Sequence, residues 1–199
     1  MVMRLERQKA ALRDRVRHHQ NVVRSLEQII LSERETDMNA KQSTFNIEEK
    51  TIEPTLVASV RMTGRYDECG RGFSRIGRAL GRHVCGKPLC LYYDGEYKED
   101  DADFEPCMPV RQAKQVEGIS IRELSGGRCV SLIYQGPYGE SGHHKAYQRI
   151  FEHVKQRGYR ILLPSREVFL KGPGMVFRGN PKKYLTEIQV MVETAEATC

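Results

Sequence analysis

The sequence predicts an α+β fold in which a long N-terminal helix of coiled-coil type precedes a duplicated strand-helix-strand-strand domain, with an antiparallel sheet and two helices. Three observations predict it. Residues 4 to about 36 carry no glycine or proline and repeat their apolar side chains at a spacing of seven. Val57–Gly70 lies over Cys129–Gly142 without a gap, so Ser59, Gly64, Tyr66, Glu68 and Gly70 recur 72 residues on as Ser131, Gly136, Tyr138, Glu140 and Gly142. Phe104–Val110 lies over Thr186–Val192, matching Glu105 with Glu187 and Val110 with Val192.

In the N-terminal stretch, Leu5, Leu12, His19, Leu26 and Glu33 form one row of the seam. Val16, Val23 and Ile30 form the other, with Lys9 and Asp37 in its outer places. Residues 1–38 are therefore expected to be an amphipathic dimerising helix. Its first part is rich in arginine (Arg4, Arg7, Arg13, Arg15, Arg17), a solvated face by default that would also sit well near phosphates. Residues 37–46 read as a linker. Ile47–Ile52 and Leu56–Met62 read as strands joined around Pro54. A glycine-bearing loop from Gly64 leads into a helix reaching about Val84, with Phe73, Ile76, Leu80 and Val84 inward and Arg71, Arg75, Arg78 and Arg82 outward. That arginine stripe is the one feature favouring a protein partner.

Leu89–Tyr93 reads as a strand, Asp94–Asp101 as an acidic turn and Ala102–Val110 as its partner. The second copy repeats the plan. Ile119–Leu124 and Arg128–Gln135 flank the turn Ser125-Gly126-Gly127. A helix to about Arg157 turns Tyr147, Ile150, Phe151 and Val154 inward and stops at Gly158. Arg166–Lys171 and Leu185–Glu193 complete it, with residues 172–181 as a loop over any cleft. The copies span about 45–112 and 117–193.

Composition excludes several classes. The chain of 199 residues is 39% apolar and 29% charged, with a net charge of +6. No apolar run approaches the ~18 residues of a membrane span, and the first residues hold no signal core, so a cytoplasmic protein is expected. Six cysteines then read as thiols. Cys85 and Cys90, with His83, are too few for structural zinc, and no cofactor motif is present.

The candidate site follows from strand alternation. Ile188, Val190 and Val192 suit a buried face, so Glu187 points the other way, where a mid-strand carboxylate needs water, a partner or a ligand. The same parity sets Val168 and Leu170 in the core and Glu167 and Phe169 beside Glu187. In the first copy Tyr92 matches Phe169 and Glu105 matches Glu187. Paired copies would turn both glutamates and both rings into one groove, with Tyr134, Tyr138, Phe177 and Tyr184 adding walls. Rings around a carboxylate suit a hydrophobic cation. Alternatively, Glu187 serves as a general base with Tyr134 or Tyr184 as the acid. His143 and His144 open a helix and read as solvated.

The duplicated unit, the Gly136-Pro137-Tyr138 loop and the closing Tyr184-Leu185-Thr186-Glu187-Ile188-Gln189 strand resemble the GyrI-like (AraC-type) effector-binding domain, over about residues 45–193. The seam before them resembles the dimerising helix of MerR-type multidrug regulators. The resemblance implies a cleft between pseudo-symmetric halves that binds lipophilic, often cationic compounds, with the last-strand glutamate, Glu187 by motif, as anchor. It also implies an alternative, since some relatives hydrolyse small electrophilic compounds with that glutamate and an aromatic partner. The winged-helix DNA reader of such regulators does not precede residue 4, so DNA is an expected partner only if that domain lies upstream.

Overall fold

The computed structural model describes residues 46–138, 141–172 and 180–194, and within residues 1–45 only Glu6, Lys9, Leu12, Arg13, Val16, His19, Gln20 and Val23. The chain divides into two units, Met1–Gln42 and Ser43–Cys199. The eight described residues of the first unit are helical and exposed. Leu12, Val16 and Val23 stand 59%, 56% and 51% accessible. Lys9 and His19 of the predicted seam are described and exposed too, whereas Leu5, Leu26, Ile30, Glu33 and Asp37 lie outside the described residues, as does Phe177.

The second unit is built on one antiparallel sheet. In chain order its elements are β1 (Ile47–Ile52), β2 (Thr55–Ser59), β3 (Met62–Gly64), α1 (Cys69–Leu80), β4 (Leu89–Tyr92), β5 (Ala102–Pro109), β6 (Ser120–Leu124), β7 (Gly127–Gln135), α2 (Ser141–Gln156), β8 (Tyr159–Lys171) and β9 (Leu185–Thr194). The strands lie in the order β1-β7-β9-β8-β4-β5-β2-β6, with β3 on β5. This order reads symmetrically outward from the β8–β4 neighbours, β8-β9-β7-β1 one way and β4-β5-β2-β6 the other.

The first strand of each copy is exchanged. The sequence reading paired β1 with β2 and β6 with β7. Instead β1 pairs with β7, from Ile47 opposite Leu132 to Ile52 opposite Gly127. β2 pairs with β6, from Thr55 opposite Leu124 to Ser59 opposite Ser120. The two ladders are one ribbon in unbroken register, and the connections at Pro54 and Gly126 cross within it. A side chain at Gly126 would collide with the Ile52 carbonyl and stand 2.8 Å from Pro54 Cδ. The glycine is there for a crossing, not for a hairpin turn.

Both faces of the sheet are buried. Under α2 pack Val130, Leu132 and Tyr134 of β7 with Ile188, Val190 and Val192 of β9, against Ala146, Ile150 and Val154. Ile76 and Leu80 of α1 pack with Ala58, Val110 and Ile119. Gly72 lets α1 approach β5, since its Cβ would lie 2.8 Å from Pro106 Cγ. On the opposite face Val57, Leu89, Leu91, Cys107 and Leu124 form a separate core. Phe151, expected inward, is 42% exposed at the edge of α2. α1 ends at Leu80, four residues early, in a 3-10 turn over Gly81–His83. β8 begins at Tyr159, so its first half was missed in the sequence; its pairing with β9 shifts between Leu162 and Arg166, around Pro164, which has no N–H to donate.

The duplication extends to the backbone. Gly64 and its counterpart Gly136 hold φ of +154° and +153°, a region that favours glycine in both copies.

Candidate functional site

Register decides which side chains share a face. Glu187 lies opposite Val168 on β8 and Ile133 on β7, whereas Glu167 lies opposite Ile188. Directly paired residues point the same way. Glu187 and Val168 therefore face away from the helices, and Glu167 and Phe169 face towards them. The expectation that Glu167, Phe169 and Glu187 share one side is corrected. The cause is that β9 is buried along both faces from Leu185 to Val192, so apolar alternation carries no sign.

On the face away from the helices, Glu187 is 8% exposed and bonded to Lys50 of β1. Burial alone would depress the Lys50 amine, but its bond and charge pairing with Glu187 raise it above the ordinary lysine value. Glu105 is 4% exposed and takes Arg122 Nη2 of β6 at 2.6 Å and the Tyr93 hydroxyl at 2.5 Å. Burial would raise its carboxyl, and hydrogen bonds from Arg122 and Tyr93 outweigh that and hold it low. Lys50 and Arg122 stand 72 residues apart, the offset of the repeat. Each of the two acid–base pairs thus takes its base from the exchanged strand of one copy and its acid from the other copy. Both bases lie seven residues upstream of the stretches whose identities revealed the repeat, at the same offset, so extending that alignment would have found them.

On the helix face, Glu167 is 4% exposed. The Tyr147 hydroxyl donates to its Oε1 at 2.7 Å and the Tyr92 hydroxyl to Oε2 at 3.3 Å. His143 Nε2 lies 3.0 Å from Oε1, without the alignment of a hydrogen bond. Burial, and then the Glu167 charge, push both phenols far above the ordinary tyrosine value, so they stay protonated donors. Among the described residues no lysine or arginine pairs with this carboxylate.

Rings surround it. Tyr92 meets Tyr66 edge-on at 5.5 Å, and Tyr147 meets His143 at 5.4 Å, with Tyr134 beyond at 5.5 Å from that imidazole. Phe169, two residues along β8, contacts Phe73 of α1 at 5.7 Å and Tyr138 at 5.5 Å, and Tyr138 contacts Tyr184 at 5.3 Å. The ring cluster lies between α1 and α2, over β4 and β8. Of the seven ligand-binding candidates, Tyr92, Tyr134, Phe169 and Tyr184 belong to this ring system. Glu105 and Glu187 lie on the other face, and Phe177 falls outside the described residues. The constellation of Glu187 with Tyr134 or Tyr184 is not brought together: Tyr134 sits in the core under α2. Sequence reasoning undervalued Glu167, Tyr147 and His143. The last two stand four residues apart on α2, a spacing that aims them at one point.

A buried acid served by neutral donors and ringed by aromatic side chains, between two halves of a duplicated domain, is the arrangement of a small-molecule binding module of pseudo-twofold build. The chain belongs to the GyrI-like small molecule binding domain family, whose model matches residues 45–193. The fold is similar to the EcmrR C-terminal domain, at 23% identity and TM-score 0.64 over 77% of this chain and all of that one. EcmrR in its DNA complex is similar over 96% of this chain and 72% of that chain, at 22% identity and TM-score 0.68. SAV2435 bound to tetraphenylphosphonium matches at 13% identity and TM-score 0.51, over 74% of this chain and 94% of that chain. No curated protein matches the sequence.

Proposed function

We propose that this domain binds a lipophilic, aromatic cation in the cleft above Glu167, as the effector-binding module of a MerR-type transcription regulator. The observation that carries the reading is the contrast among carboxylates. Glu49, Glu105 and Glu187 each hold an arginine or lysine. Glu167, among the least exposed of the acids, holds two phenols and an imidazole that is cationic only when protonated. A buried carboxylate so placed gains most from a cation that brings its own apolar surface. A structural relative binding tetraphenylphosphonium, a cation of that description, supports the class of ligand.

In this reading Tyr92, Tyr147 and Phe169 form the floor and walls, Tyr134 and Tyr184 extend them through His143 and Tyr138, and Glu105 and Glu187 hold the exchanged strands. Residues 1–38 supply the dimer contact, and DNA contact belongs to a further domain. The DNA complex of a structural relative in the MerR family supports placing the module in such a regulator. Two similar structures from Listeria innocua are described as hydrolases, but the general-base pairing that turnover would need is split between opposite faces here.

The test is calorimetric titration with tetraphenylphosphonium and with neutral triphenylphosphine oxide. The reading expects the cation to bind at least about tenfold tighter, a charge-pairing gain on the order of 1.4 kcal/mol. Equal affinities, or none for either, would sink it.

A further inference from the structure

The turn between β4 and β5 has no part in the sheet, yet it is tied down. Asp94 accepts from the Asp103 amide at 2.7 Å and pairs with Lys98 Nζ at 2.5 Å. Those bonds, the amide first, hold its carboxyl below the ordinary value. The Lys98 amide donates to the Tyr66 hydroxyl at 3.3 Å, and Asp101 closes the turn at φ +55°. The turn presents Tyr97, 67% exposed, the largest accessibility among the exposed large apolar side chains described. A single exposed ring is ordinary by itself, so the reason to single out Tyr97 must come from what it touches.

Its contacts supply the reason. The Tyr97 ring lies 5.4 Å from Tyr66, at the entry to α1, and 5.7 Å edge-on from His144, in the first turn of α2. Tyr66 in turn meets Tyr92, whose hydroxyl reaches Glu167, and His144 neighbours His143, which also reaches Glu167. One exposed ring therefore touches both banks of the cleft, each time one ring away from the side chains holding the buried carboxylate. Glu96, Glu99 and Asp100 flank it on the same exposed turn, so the charge beside the ring is negative although the chain carries +6.

We propose that Tyr97 is a specificity-determining residue of the cleft: its ring forms the outer wall over a bound ligand and selects cations that carry aromatic groups over aliphatic cations of the same charge. Glu167 reads the charge, and Tyr97 reads the rings. The turn acts as a strap from the first copy laid across to the helix of the second, and the acids on it favour the approach of cations. This inference rests on the cleft above Glu167 being the ligand site.

The experiment uses the full chain and two probes of equal charge, tetraphenylphosphonium and tetrabutylphosphonium, titrated into wild type, Tyr97→Ala, Tyr97→Phe and Glu167→Gln. An aromatic contact of the usual strength predicts a loss of about fivefold to tenfold for the tetraphenyl probe in Tyr97→Ala. The tetrabutyl probe should change less than about twofold, and Tyr97→Phe should match wild type because the ring makes the contact. A uniform loss for both probes would overturn the selective role, as would unchanged affinity for both. If wild type binds neither probe, or Glu167→Gln binds both undiminished, it is the assignment of the cleft that falls.

Discussion

Replacing Glu187 by glutamine tests whether the last-strand acid is part of the frame. The substitution keeps the side chain's shape and leaves Lys50 only its looser contact with Glu48 at 3.9 Å; the Lys50 side chain is 30% exposed against 10% for Glu187. Breaking a buried pair costs about 3–5 kcal/mol, and an exposed one about 0–1. With the base in partial contact with water, the cost should fall between these, at about 1–3 kcal/mol. For a domain of this size that is roughly 5 °C in Tm. Urea unfolding followed by far-UV circular dichroism reads it directly, without adding ions that would screen the pair. The pH dependence has a definite sign. The Lys50 amine is raised by its partner, so the stabilisation is fully present below the ordinary lysine value and disappears as pH climbs through the folded one. The wild-type and variant curves should therefore converge at strongly alkaline pH. A variant as stable as wild type near neutral pH would refute the assignment of Glu187 to a structural pair.

Gly136→Ala should destabilise by about 1–3 kcal/mol, because φ is +153° and the new Cβ would press on Tyr134, whose Cζ lies 2.7 Å away in a packed core. Gly64→Ala should cost less in the same thermal melt, since at its matching φ the Cβ meets only the end of the flexible Glu68 side chain. Glu49, held down to about 2 by bonds from His153, Tyr159 and Arg128, lends stability that is present above the ordinary glutamate value and lost as pH falls from there towards 2. In Glu49→Gln the difference from wild type should shrink over that window, as read by acid titration of circular dichroism. Val16→Glu with Val23→Glu, at two of the exposed seam positions, should turn a dimer into a monomer in sedimentation velocity without altering the melt of the sheet domain.

The frame was more legible than the site, and the reason is physical. A fold made by duplication writes its hinges twice, so Gly64 with Gly136 and Ser59 with Ser131 announced two copies and their extent. The strand exchange was not legible, because Glu53-Pro54 and Ser125-Gly126 look like hairpin turns unless one sees that the two connections pass each other. Glu105 and Glu187 caught the eye because they recur, and they recur because each copy needs an acid to hold an exchanged base. The Tyr92–Phe169 match makes Cys90 the counterpart of Glu167, and the two are also paired neighbours at the centre of the sheet. The cleft thus has a carboxylate from one copy and a thiol from the other. Burial, then the Cys69 and Glu167 charges, push the Cys90 thiol far above its ordinary value, so it stays neutral beside the acid. A search for repeated acids passes over that position. Tyr92 and Phe169 were found from the same register that misplaced Glu187, because their own parity did not depend on which face of β9 was inner.

The most direct measurement is a side-by-side calorimetric titration of tetraphenylphosphonium into wild type, Glu167→Gln and Glu187→Gln. At ~5 Å and an effective dielectric near 20, a buried carboxylate contributes about 3 kcal/mol to a cation, and partial hydration of the cleft lowers that to about 1–3. The account predicts affinity weakened roughly 10-fold to 100-fold in Glu167→Gln, with Glu187→Gln close to wild type. The reverse pattern, with Glu187 essential and Glu167 dispensable, would contradict it.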